Sequence, residues 1–142
     1  MGGTKLTVEH VDGMRFLITA EKHKVVTDAA PEDGGGGTAM NAPGLFAAAV
    51  GACVLEFVLN SCRLHDVPVE QLSLTMTFDE VPGPRRIGAL RASLRIEPEP
   101  PRSVKRRLVG VARHATLVNT LAHPPQLEVA FAGEQGGADA DL

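Results

Sequence analysis

Apolar and polar residues alternate along the first part of the chain. Residues 6–11 and 16–19 read as two short strands, and Asp12-Gly13 between them suits a tight turn, so a hairpin is predicted. A third short strand is predicted over residues 24–27. Residues 31–37 then contain four successive glycines, which lose too much chain entropy in regular structure and therefore predict a loop.

The longest apolar segment covers residues 45–59, where Glu56 is the one charged residue. Its alanines and leucines favour a helix, and the helix would be apolar nearly all round. A transmembrane helix needs about 20 apolar residues, whereas this segment is shorter and is followed by Asn60, Arg63 and Asp66. The pattern predicts a helix buried in the core of a globular protein.

Period-two alternation returns in residues 72–78 and 87–96, with a Pro-Gly-Pro connection at residues 82–84. One side of the first of these strands would carry Leu72, Leu74, Met76 and Phe78. Two long strands joined by a turn are predicted.

The C-terminal part is predicted to add a helix, a helical turn and a strand. Ser103 is the predicted N-cap of a basic, amphipathic helix. A helical turn over residues 118–122 and a last strand over residues 127–131 follow. Strands, long helix, strands, helix and strand in this order predict one α+β domain over residues 1–132 and a disordered tail over residues 133–142.

Composition limits the classes of partner. With 44% hydrophobic residues the 142-residue chain can bury one hydrophobic core. Its net charge of -3 gives no sign of a basic surface that would bind nucleic acid or an anionic membrane. The N-terminus lacks the features of a signal peptide, which predicts a cytoplasmic protein. Neither nucleic acid nor membrane is an expected partner.

Common cofactor and catalytic motifs do not occur. The glycines at 34–37 are not followed by the Gly-Lys-Ser/Thr of a phosphate-binding loop, and the five histidines occur singly rather than at metal-ligand spacing. No serine lies in a Gly-x-Ser-x-Gly elbow. No metal and no cofactor are predicted.

The two cysteines, Cys53 and Cys62, are too few to form a disulfide framework that stabilises a chain of this size. Cys53 lies inside the predicted helix, and its small neighbours Gly51 and Ala52 would let a ligand approach the sulfur. Judged from these residues alone, an inert core cysteine is the favoured interpretation, because apolar surroundings suppress the nucleophilic thiolate.

A resemblance to a known family changes that balance. Its motifs are Gly-Met-Arg-Phe at 13–16, Asp-Ala-Ala-Pro at 28–31, the glycine loop, Pro-Gly-Leu-Phe-Ala-Ala-Ala-Val-Gly-Ala-Cys at 43–53, and His-Ala-Thr-Leu-Val-Asn-Thr-Leu at 114–121. In order and spacing they resemble the OsmC-type organic hydroperoxide resistance family over roughly residues 8–132. The resemblance implies an intertwined homodimer, with a curved antiparallel sheet packed on a long buried central helix.

The family's activity is the reduction of organic hydroperoxides through a helix cysteine, and Cys53 matches that position. The cysteine would become a sulfenic acid that a second thiol resolves. Ala115 stands where the family has its resolving cysteine, and Pro43 or Gly44 stands where it has an activating glutamate. If the chain is an enzyme, it would be a thiol-dependent peroxidase that uses an external thiol.

Cys62 is not expected to resolve Cys53. Nine residues of helix separate the two cysteines by about 13 Å and half a turn, whereas a disulfide needs Cα atoms within about 7 Å. Cys62 is therefore interpreted as structural.

The family's thiolate-stabilising arginine has three candidates. Arg15 on the second strand is the first, and Arg63 and Arg113 serve equally on sequence grounds. Glu56, three residues after Cys53, is a poor substitute for the missing glutamate because a neighbouring carboxylate disfavours a thiolate.

Three hypotheses remain open. The first is a peroxidase that uses Cys53 and an external thiol. The second is a catalytically degenerate dimer that binds a hydrophobic small molecule. The third makes the basic helix, residues 102–113, a docking surface, although a solvated amphipathic face explains its charge as well.

Overall fold

A computed structural model describes residues 3–134 and contains five strands and three α-helices in this range. In chain order they are β1 (Thr7–Asp12), β2 (Arg15–Ala20), β3 (His23–Asp28), α1 (Ala42–Leu64), β4 (Gln71–Val81), β5 (Arg86–Glu97), α2 (Arg102–Ala112) and α3 (Thr116–Ala122). A short 3-10 helix, Pro31–Asp33, opens the glycine loop. The α+β class is confirmed.

The strands form two antiparallel sheets within the chain. One has the order β1-β2-β3 and the other is the β4-β5 pair. Burial alternates along β4, as the period-two pattern predicts, because one side faces α1 and the other faces solvent. The three-stranded sheet has few contacts with the rest of the chain.

α1 is longer than predicted, with 23 residues rather than 15. Asn41 caps its N-terminus, where the side-chain Oδ1 accepts a hydrogen bond from Gly44 N at 2.8 Å, and Pro43 fits the first turn because that turn needs no N–H acceptor. The C-terminal end continues beyond residue 59 because Ser61 and Cys62 face the core. By length and composition alone a 23-residue helix of this kind could cross a membrane, so shortness does not by itself distinguish a core helix from a membrane helix. Here it packs as a core helix against β4, α2 and α3.

α1 is buried along one side rather than all round. Its buried residues recur at helical spacing and include Val54, Val58 and Cys62, which pack with Leu108 of α2 in the core. Phe57 and Leu64, on another side, are exposed. Apolar side chains on the other side of this helix therefore remain exposed within a single chain.

Two predicted features near the C-terminus are wrong. Ser103 is not an N-cap: α2 begins at Arg102, and the extended Pro101 precedes it without a side-chain cap. Residues 127–131 do not form a strand, since none of the strands within residues 3–134 pairs with them. Phe131 is 85% exposed. Of the predicted tail, residues 135–142 lie outside the described residues.

Candidate active site around Cys53

Cys53 lies near the middle of α1 and meets the beginning of α3. Its Sγ accepts a hydrogen bond from the backbone N–H of Leu117 at 3.5 Å. Leu117 is the second residue of α3, and N–H groups in a first helical turn have no acceptor within their own helix. This donor stabilises negative charge on the sulfur or on an oxygen attached to it. Cys53 as a residue is partly exposed, whereas Cys62 is buried.

The segment that resembles the family's second cysteine segment is the one that contacts Cys53. Ala115, directly before α3, is fully buried and belongs to the core cluster against which Cys53 packs. Its methyl group can neither donate a proton nor form a disulfide. The site thus has the expected neighbours but only one sulfur.

Cys62 occupies a different environment on the same helix. It is fully buried with Val58 and Leu108. Burial raises the pKa of the Cys62 thiol, and the nearby Arg107 charge opposes this only in part. Both cysteines are free and α1 is continuous between them, as expected for a structural Cys62.

An apolar groove of about 530 Å³ lies between α1, α3 and β5, and Cys53 is not in its lining. Phe46 lines it from α1, seven residues before Cys53, which places both side chains within about 20° on the helix and about 10 Å apart. Leu121 lines it from α3, one turn after Leu117. The groove therefore lies closer to the N-terminus of α1 than Cys53 does, and its other wall is residues 87–90 of β5. A larger hollow of about 600 Å³ lies between β5 and α2, and Cys53 is not in its lining.

The candidate arginines lie at three places. Arg15, at the start of β2, has its Nη1 3.4 Å from Asp12 Oδ2 rather than on Cys53. Its Nε is buried and has no hydrogen-bond partner in the described chain. Arg63 is exposed in the last turn of α1, while Arg113 directly follows α2 as its C-cap, two residues before Ala115. Which of them acts on Cys53 stays a prediction.

Glu56 is exposed one turn after Cys53, consistent with its being a poor substitute for the missing glutamate. Among residues 3–134, no three His, Cys, Asp or Glu side chains lie close enough to share a metal ion.

Asp28 is a buried carboxylate whose role the sequence did not reveal. Its side chain is 2% exposed and accepts hydrogen bonds from the Thr38 hydroxyl at 2.7 Å, Thr38 N at 3.0 Å and Gly36 N at 3.2 Å. These bonds, those from Thr38 first, hold the pKa of Asp28 below its ordinary value, with a smaller contribution from the Arg15 charge. The acidic residue placed shortly before four glycines was the available signal.

Glycine is required in the loop that closes on Asp28. A Cβ at Gly35 would lie 1.9 Å from the carbonyl oxygen of Ala29, which no side chain can tolerate. The loop then leads to Asn41, the cap of α1. Its glycines therefore have a structural function: they position the start of the helix that carries Cys53.

Residues 34–130 match the sequence model of the family described as OsmC-like protein. The chain belongs to the OsmC-like family. No curated protein sequence matches it significantly.

Solved structures share this OsmC-like fold. A putative osmotic stress induced and detoxification response protein from Psychrobacter arcticus superposes with a TM-score of 0.79 at 17% identity, over 84% of this chain and 89% of that one. An organic hydroperoxide resistance protein OsmC from Legionella pneumophila gives 0.66 at 21% identity, over 85% and 90%. A putative organic hydroperoxide resistance protein from Vibrio cholerae, with captopril bound in one of its active sites, gives 0.66 at 21% identity, over 87% and 88%. At these identities the likeness establishes the fold.

Proposed function

We propose that this OsmC-like protein is a thiol-dependent organic hydroperoxide reductase with Cys53 as its peroxidatic residue. The observation that carries the proposal is the Leu117 N–H at 3.5 Å from the sulfur of Cys53, a partly exposed residue. The apolar groove lined by Phe46, on the same side of α1, supports it. Two neighbours of the same fold are named organic hydroperoxide resistance proteins, which supports this class of substrate.

The reaction begins when the Cys53 thiolate attacks one oxygen of the hydroperoxide. The O–O bond breaks, the alkoxide takes a proton and leaves as an alcohol, and Cys53 becomes a sulfenic acid. The Leu117 N–H lies where it can stabilise charge at the sulfur during this step.

Resolution then needs a thiol from outside the chain, because residue 115 is alanine and Cys62 is buried. That thiol attacks the sulfenic sulfur and water leaves. A second thiol attacks the resulting mixed disulfide and regenerates Cys53. The captopril in the Vibrio cholerae relative is itself a small thiol, which supports access for such molecules to this kind of site.

The groove favours an organic hydroperoxide over hydrogen peroxide. Phe46, Leu121 and the β5 wall present mainly carbon atoms to a ligand. Each methylene buried there contributes about 0.8 kcal/mol to binding. Hydrogen peroxide gains nothing from such a surface.

We also propose that the protein acts as a homodimer. Exposed apolar side chains occur in the three-stranded sheet, in α1 and in the C-terminal segment, among them Val8, Val25, Phe57, Leu64, Leu127 and Phe131. Residues 127–131 alternate like a strand but have no partner in the chain. A second copy would pair these edges and cover these surfaces. Sedimentation equilibrium is expected to give twice the chain mass at micromolar concentration, and a monomer would contradict the proposal.

The enzymatic proposal is tested with substoichiometric cumene hydroperoxide. We expect mass spectrometry to find sulfenic acid at Cys53, trapped by dimedone, and thiol-dependent peroxide consumption in the wild type. Cys53→Ser should abolish both, whereas Cys62→Ala, the matched control on the same helix, should retain them. If Cys53 stays unoxidised and no peroxide is consumed, the proposal is contradicted.

Ala115→Cys supplies the missing second thiol at a position that packs beside Cys53. We expect peroxide to produce an intramolecular disulfide between residues 53 and 115, seen as a loss of two thiols. The combination with Cys53→Ser is the control. Persistence of both thiols after peroxide treatment would show that the α3 segment does not present residue 115 to Cys53.

The second candidate function is binding of an apolar small molecule without turnover. It is favoured by Ala115 and by the uncharged Pro43 and Gly44 at the start of α1. In this case Cys53→Ser would bind an apolar fluorescent probe as well as the wild type, Phe46→Ser would bind it more weakly, and peroxide would leave Cys53 unmodified.

A further inference from the structure

α2 concentrates positive charge on a chain that is acidic overall. Five of the chain's 14 Lys and Arg residues lie between residues 102 and 113, where there is no Asp or Glu, although the net charge is -3. Arg102, Arg106 and Arg113, with Val109 among them, follow helical spacing along one exposed side. We call these three arginines and Lys105 the basic stripe. Leu108, on the other side, is 2% exposed and packs in the core.

The stability of α2 does not explain this charge. Arg102 and Arg106 are like charges four residues apart, which destabilises a helix, and Arg102 lies in the first turn, where the helix dipole disfavours a cation. Among the described residues, Lys105 is the one member of the stripe with an acidic partner, Glu99. Because these charges destabilise the helix that carries them, they indicate a functional reason for their presence.

The basic stripe leads toward Cys53. α2 ends at Ala112, Arg113 follows, Ala115 is buried in the core cluster, and the Leu117 N–H lies on the Cys53 sulfur. The four residues from Arg113 to Leu117 span at most about 14 Å. Arg113, the last member of the stripe, therefore lies within about 20 Å of the sulfur, and at low ionic strength the positive charge of the stripe attracts anions to this side of the molecule and repels cations.

We propose that the basic stripe selects small anionic thiols, those that carry carboxylates, as the external reductant of Cys53. The inference rests on the proposed function and specifies its second substrate. A small molecule fits better than a protein, because Cys53 is only partly exposed between α1 and α3. Its carboxylates complement the arginines while its sulfur reaches Cys53.

The step is a resolution followed by a release. The anionic thiol forms an S–S bond with the sulfenic sulfur of Cys53, and the sulfenic oxygen leaves as water. A second anionic thiol attacks the mixed disulfide, returns the Cys53 thiol and departs as an oxidised dimer. Two thiols thus supply the two electrons that reduce one hydroperoxide.

The test uses thiol–disulfide exchange at Cys53, which needs no peroxidase activity. The probes are the dianionic 5,5′-dithiobis(2-nitrobenzoate) and the neutral 2,2′-dithiodipyridine, applied to the folded full chain with Cys62→Ala as background. Taking the ratio of their rates removes differences in the intrinsic reactivity of the thiolate. The variant is Arg102→Glu/Arg106→Glu, and the control Lys22→Glu/Lys24→Glu changes the net charge equally at exposed positions of the other sheet.

We expect the anionic-to-neutral rate ratio to fall about threefold in the arginine variant at an ionic strength of about 0.01 M and to recover at about 0.5 M, where charges at this range are screened. The control should keep the wild-type ratio. An unchanged ratio in the arginine variant, or an equal fall in the control, overturns the inference. Loss of peroxide turnover with every thiol while the ratio behaves as expected would instead count against the proposed function.

Discussion

Two positions on α1 place a cysteine in opposite environments. Near the middle of the helix, Cys53 is partly exposed and meets the Leu117 N–H. In the C-terminal half, Cys62 is fully buried among apolar side chains. The same residue type on one continuous helix is thus available for chemistry at one position and for packing at the other. Reactivity here depends on what faces the helix and not on the helix itself.

The largest expected difference between the two cysteines is in their rate of alkylation. Iodoacetamide should modify Cys53 in the native protein about 100-fold or more faster than Cys62, because Cys62 reacts only after an opening that costs about 3 kcal/mol or more. Peptide mass spectrometry over a time course measures both rates, with urea-unfolded protein as the control in which they converge. Comparable native rates would remove the distinction on which the comparison rests.

Substitution should lower the free energy of unfolding more at Cys62 than at Cys53. Cys62→Ser buries a hydroxyl among Val58 and Leu108 and is expected to lower the free energy of unfolding by about 2 kcal/mol. Cys53→Ser, the matched substitution at the partly exposed position, should cost less than about 1 kcal/mol. Urea titrations give both values, and an equal cost at the two positions would contradict the assignment of Cys62 to packing.

Substitution in the glycine loop before α1 should destabilise the protein. Gly35→Ala forces the chain away from the Ala29 carbonyl and is expected to cost about 2 kcal/mol. Gly110→Ala is the matched control: an added Cβ meets nothing within 4 Å in α2, and a gain of about 0.5 kcal/mol is expected. Thermal unfolding measures both, and a harmless Gly35→Ala would mean that the loop does not close on residues 28 and 29 as tightly as described.

The smallest effect concerns alkaline pH. Because burial raises the pKa of Cys62, the folded state keeps this thiol neutral while the unfolded state ionises above about pH 8.5. This contribution to stability is present below that pH and is lost as the pH rises toward the folded pKa. The stability difference between wild type and Cys62→Ala should therefore shrink from pH 7 to about pH 9.5. A constant difference would argue against the raised pKa.

Several elements were predictable because their signals are local. Alternation gave the strands, and the Ala- and Leu-rich segment gave α1 and the position of Cys53 on it. The motifs around Cys53 gave the family, which the match over residues 34–130 bears out. Ser103 failed as a cap because Pro101 ends the extended segment and the helix begins directly after it.

Other features depended on contacts between distant residues. The strand predicted over residues 127–131 has the right pattern but no partner edge within one chain, and strand formation requires a partner. The burial of Asp28 and the need for glycine at residue 35 arise from a loop folding back on β3. Neither is encoded in periodicity.

The sequence by itself determined the α+β class and the family. Through the resemblance it also predicted Cys53, rather than a serine, a histidine or a metal, as the reactive centre. Only the tertiary structure decided that Leu117, 64 residues away, donates to the Cys53 sulfur, that Cys62 is buried in the core, and that Phe46, Leu121 and β5 together form an apolar groove. The physical reason is that amphipathic pattern and motif are properties of neighbouring residues. Hydrogen bonding and solvent access at one atom depend on which distant segments pack against it.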